Sequence, residues 1–107
     1  MNAVDAAAVA AFPEIEMLLV IRDGGWKFLP PEPGRDQLDG FRTWPHGWRD
    51  GIRIRSATDA LGIRMTPDQE IVWERTGTLT DVIGELLVLP APDEPNAPRL
   101  VLGLGPD

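Results

Sequence analysis

Three times between residues 52 and 74, large apolar residues recur at every second position. Ile52 and Ile54 are interleaved with Arg53 and Arg55, Leu61, Ile63 and Met65 with Gly62 and Arg64, and Ile71 and Trp73 with Val72 and Glu74. A period of two is the mark of strands with one buried face. The connections, Ser56 to Asp59 and Pro67 to Gln69, are of hairpin length. Antiparallel partners point to one face. The first loop therefore sets Ile54 opposite Leu61 and Ile52 opposite Ile63, and the second sets Met65 opposite Ile71 and Ile63 opposite Trp73. This register predicts Ile63 at the centre of the core. A capping box from Ser56 to Asp59, opening a short helix, competes with it, but Gly62 and Ile63 suit a helix poorly.

Around this unit the chain reads as alternating local signals. Asn2 is placed to cap a helix through "AVDAAAVAAF", with Asp5 in its first turn and Pro13 ending it. "EIEMLLVIRDGGWKFLPP" has the look of a hairpin turning at Asp23-Gly24-Gly25, and residues 30–40 of a loop rich in Pro, Gly and Asp. In "TGTLTDVIGELLVLP" the period changes to helical: Leu79, Val82, Ile83, Leu86 and Leu87 share a face, and Thr78 caps. "PAPDEPNAP" is a stiff connection and "RLVLGL" a last strand. The sum is an α+β fold, one domain over residues 1–107, with an antiparallel sheet of five to seven strands and one or two helices packed on one face.

Length and composition agree and narrow the chemistry. A chain of 107 residues with 43% hydrophobic and 25% charged residues suits a single globular core. It has no cysteine, which removes disulfides, thiolate nucleophiles and Cys-ligated zinc. No signal peptide is evident, and the longest apolar run, "MLLVI", is far short of the roughly 20 residues that cross a bilayer. A cytoplasmic protein without membrane attachment is expected. A net charge of −7 argues against nucleic acid as a partner. Residues 42–75 are the exception, with six arginines against five acids.

His46 is the only histidine and Ser56 the only serine. A triad of His46, Ser56 and Asp50 or Asp59 lacks a nucleophile elbow, and Ser56 reads as a turn residue. No metal spacing or phosphate cradle exists, so no catalytic residue, metal or cofactor is expected. Two features remain as candidate sites. In "RTWPHGWRD", Trp44 and Trp48 flank His46 across Pro45 and Gly47. They read either as a tight turn at a sheet edge whose indoles cover the core or as an aromatic platform with His46 exposed. The second feature is the outer face of the strand unit. There Arg53 and Glu74 flank Gly62, Arg55 lies opposite Ala60, and Arg64 lies opposite Val72. That furrow suits an anionic ligand or acidic segment held by guanidinium forks, or is a solvated face with pairs such as Arg53 with Glu74 and Arg64 with Glu70.

"WPHGW", "TDALGIR" and "IVWERTGTLTDVIGELLVLP" resemble segments of a family of small proteins of high-GC actinobacteria, over residues 44–90. The resemblance implies no activity, cofactor or site residue. The residues themselves favour a non-catalytic interaction protein that binds another protein or itself, with a homodimer as one form. The alternative is a binder of small anionic ligands, or an enzyme, using Trp44, His46, Trp48, Arg53, Arg55 and Arg64.

Overall fold

The computed structural model describes residues 2–21, 25–30, 33–34 and 36–102. Five strands, β1 (Trp26–Phe28), β2 (Leu38–Thr43), β3 (Arg49–Ser56), β4 (Asp59–Met65) and β5 (Ile71–Gly77), form one antiparallel sheet in sequence order. Three helices, α1 (Ala3–Ala11), α2 (Glu16–Ile21) and α3 (Leu79–Val88), complete the α+β domain, one more than the sequence suggested. Their inward residues, among them Ala8, Leu18, Leu79, Val82 and Leu86, share a single core with Ile15 of the 3-10 turn before α2 and with Trp26, Phe28, Ile52, Ile54 and Ala60 of the sheet. The helices thus cover one face. Among the described residues no helix packs on the other face, called the bare face below.

α1 starts as expected: the Asn2 side chain accepts the Asp5 amide at 2.7 Å. Asp5 is itself buried, and its carboxylate accepts the Phe28 amide at 3.3 Å, tying the helix to β1. α3 is capped by Thr78, whose hydroxyl accepts the Asp81 amide at 3.2 Å, and the Leu79 amide donates to the Ala57 carbonyl in the β3–β4 turn.

Three segments differ from expectation. Residues 16–21, where the sequence predicts a strand, are helical. Pro13 opens a helical turn, Glu14 and Glu16 favour its positive end, and Ile15, Leu18 and Leu19 are buried at helical spacing. The turn expected at Asp23 and Gly24 lies outside the described residues. Residues 38–40, where the sequence predicts loop, belong to β2. At the far end, residues 99–102 form no strand, although the Leu102 amide donates to the Ile71 carbonyl at 2.7 Å on the β5 edge. Residues 103 and 104 of the expected strand lie outside the described residues.

The register is the main correction. At the turns the pairing is near the expected one, with Ser56 opposite Asp59 and Met65 opposite Ile71. Beyond each turn one residue is left over, Arg55 in β3 and Val72 in β5, and each bulge slips the ladder by one. Ile54 consequently faces Ala60, Ile52 faces Gly62, and Arg64 lies between Asp50 and Trp73. A slip of one turns a strand over. Ile63 moves from the expected core to the bare face, and Arg64 moves from the bare face into the interior.

Gly62 now points at α3. A Cβ there would lie 3.0 Å from Val82 Cγ1 and 3.2 Å from Trp73 Cζ3, so its absence sets how closely the helix approaches β4. Gly62→Val should lower stability by about 1–3 kcal/mol through overpacking, read as a lower denaturant midpoint at unchanged slope. Native stability of that variant would return Gly62 to the bare face.

Candidate functional site

The β2–β3 hairpin turns through Pro45, His46 and Gly47, and Trp44 and Trp48 face each other at its base, where the Trp44 amide donates to the Trp48 carbonyl at 2.7 Å. His46 and Gly47 both take left-handed backbone, with φ of 67° and 91°. Glycine adopts this readily, whereas histidine does so seldom. The imidazole is exposed and both indoles are half-buried. Neither tryptophan belongs to the apolar core, so the reading of this pair as a core cover is corrected. Together with Pro45, His46, Pro92 and Asp93, the indoles line a groove of about 400 Å³.

Trp44 is held from behind. Its indole N–H donates to Asp50 Oδ2 at 2.9 Å. The same carboxylate takes a two-pronged contact from Arg64, Nε to Oδ1 at 2.6 Å and Nη2 to Oδ2 at 3.0 Å. Arg64 Nη1 donates to the Pro90 carbonyl beyond α3. Arg64 has none of its surface in water and Asp50 only 3%. Desolvating both charges is costly, and fork-to-fork geometry with every carboxylate oxygen engaged is the arrangement that offsets it. Arg42 lies over the Trp44 ring at 4.1 Å from its centroid, with Arg64 at 5.6 Å. Both add cation–π attraction. The indole is therefore fixed in place before anything binds.

The three arginines expected on one furrow are separated. Arg64 is interior, as above. Arg53 stays on the bare face, bonded to Asp39 at 2.9 Å across β2–β3; that hydrogen bond first, and the carboxylate charge second, raise its pKa above the ordinary arginine value. Arg55, the bulged residue, is turned to the mouth of an apolar cleft of about 360 Å³ lined by Val4, Ala8 and Phe12 of the α1 segment and by Leu38 and Ile54. Of the six candidates, Trp44, His46 and Trp48 come together at one groove, whereas Arg53, Arg55 and Arg64 form no common site. Ser56 is a turn residue, its hydroxyl accepting the Thr58 amide at 3.2 Å. Among the described residues, no group of three or more His, Asp or Glu is placed to hold a metal ion.

Sequence reading missed Asp50 and Arg64 as partners of the tryptophan, and the Pro90 carbonyl as a partner of Arg64. The available signal was the spacing of Trp44 and Asp50 on either side of a tight turn, which places them two residues apart on one face.

Comparisons with family models, with curated proteins and with solved structures gave no match.

The two acid–arginine pairs differ in burial, and their energies should differ accordingly. Asp50→Ala, which leaves the buried guanidinium of Arg64 uncompensated, should cost roughly 3–5 kcal/mol. Asp39→Ala, at the water-exposed Arg53, should cost about 0–1 kcal/mol. Equal losses in chemical denaturation would remove the buried pair from its place in the fold.

Proposed function

We propose that the protein is an interaction domain without catalytic chemistry, whose tryptophan groove takes an extended, proline-containing segment of a partner protein. One observation carries this reading: two half-exposed indoles face a single groove, and one is braced by a buried ion pair. Rigid aromatic walls suit ligands that are themselves stiff. A polyproline segment loses little conformational entropy on docking and presents flat rings to indoles. The chain's own Pro92, buried in the opposite wall, offers the same surface chemistry. Asp93 on the rim and the net charge of −7 favour a partner segment carrying Arg or Lys.

The dispersal of Arg53, Arg55 and Arg64 leaves the anionic-ligand alternative without a shared binding face. No helix among the described residues is long and apolar enough to cross a membrane. The cysteine-free sequence accords with a reducing compartment, and a place in the cytoplasm is part of this proposal.

A synthetic decapeptide built from Pro-Pro and Arg units is the direct probe. Of the four indole N–H resonances, those of Trp44 and Trp48 should shift saturably on titration, while those of buried Trp26 and core-packed Trp73 stay in place. Trp48→Ala should keep the fold and weaken binding tenfold or more, the size expected for loss of an aromatic hot spot. An absence of saturable shifts at millimolar peptide would refute the reading.

A further inference from the structure

The face of the sheet turned away from the helices is not the polar surface that a solvated sheet presents. Phe41, Leu61, Ile63, Met65 and Ile71 all lie on it, each half-buried. A shallow hollow of about 290 Å³ opens at its middle, lined by residues of β2, β3 and β4 and by no residue of a helix.

One transverse row has a distinctive order. Following the pairings across the sheet, it runs Lys27, Phe41, Gly51, Ile63, Glu74: a cation at the β1 edge, an anion at the β5 edge, two large apolar side chains, and a glycine at the centre. Lys27 and Glu74 are both exposed. The row reads as its own complement when reversed. A two-fold axis along β3, midway between two stacked copies, sets Lys27 against Glu74 at both ends and Phe41 against Ile63 on both sides of the centre. Gly51 places no side chain at the axis, where it would meet its own symmetry copy. A Cβ there would lie 3.3 Å from Ile63 Cγ1, so the glycine lets the Ile63 side chain lie close over β3 beside the hollow. Arg53 and Asp39, beside the row, are already paired within the chain, and Arg49, exposed at the start of β3 beside Met65, adds a further cation at the end of the face.

We propose that the bare sheet face is a homodimer interface, on which a second copy packs sheet to sheet with the Lys27–Glu74 row antiparallel to its own. Aligned sheets stacked about 10 Å apart are a common solution to an apolar sheet face. An isologous contact needs this kind of self-complementarity. The tryptophan groove is not part of this interface, so the dimer stands or falls independently of peptide binding.

The test is sedimentation over a concentration series, read together with charge exchange. The wild-type chain should approach twice its 11.8 kDa mass as concentration rises. Lys27→Glu and Glu74→Lys should each place like charges across the interface and weaken dimerisation tenfold or more. The double variant should return it to near the wild-type value. Ile63→Lys should be monomeric with native circular dichroism; should that variant fail to fold, the charge exchange decides alone. A wild-type protein that stays monomeric at millimolar concentration overturns the proposal, as does a dimer that either single charge reversal leaves unchanged. Trp48→Ala should dimerise as the wild type does, which separates failure here from failure of the peptide reading.

Discussion

A guanidinium wholly removed from water must find its partners inside the fold, and Arg64 finds them in three different parts of the chain. Its fork meets Asp50 on the neighbouring strand, its remaining amino group meets the Pro90 carbonyl after α3, and through Asp50 it reaches the Trp44 indole at the end of β2. Each of these segments has other reasons to be roughly where it is. The charge makes the placement discrete, because in a low-dielectric interior a carboxylate displaced by an ångström or two is a large loss. Hydrophobic packing tolerates small shifts and rotamer exchange, whereas this cluster tolerates neither. It fixes the turn at residues 44–48 relative to the segment after α3, and those two segments are the walls of the groove.

The sequence was most legible where one interaction governs a short stretch. The caps at Asn2 and Thr78, the helical face of α3 and the strand character of residues 52–55, 60–65 and 71–74 all follow from local chemistry, and the structure has them. The turns were also placed well, since Ser56 meets Asp59 and Met65 meets Ile71. The single residues left over at Arg55 and Val72 were not legible. A bulge changes the count between turn and core without changing the alternating pattern that reveals the strand, so pattern and loop length together still leave the face undetermined by one step. That step decided whether Arg64 or Ile63 was interior. β2 was hidden for a related reason: its inward positions are Leu38, Gly40 and Arg42, only one of them a large apolar residue. α2 was misread because "MLLVI" satisfies strand preference, although Pro13 with Glu14 and Glu16 already marked a helix start.

For the candidate site, the structure gathers Trp44, His46 and Trp48 of "WPHGW" at one groove. Turn and platform are not opposites here. The backbone of residues 44–48 is a tight turn, and the same turn holds two indoles on one side of the hairpin, where a groove rather than the core receives them. The indoles lie on the helix side of the sheet and the proposed dimer face on the other. Neither surface obstructs the other, and a dimer would present two grooves to a partner with repeated proline segments, where linkage raises avidity beyond either site alone.

Every strand pairs with its neighbours in sequence, so the sheet assembles through closures of short loops, at small entropic cost for each. The long closures belong to the helices: Ile15 and Leu18, before the meander, share a core with Leu79 and Val82, after it. A nascent chain that has emerged only through β5 therefore holds every sheet partner it needs while lacking the α3 cover over β4 and β5. During synthesis the half-built domain displays apolar surface on both sides, and the interval in which it is open to aggregation closes with the arrival of residues 78–89.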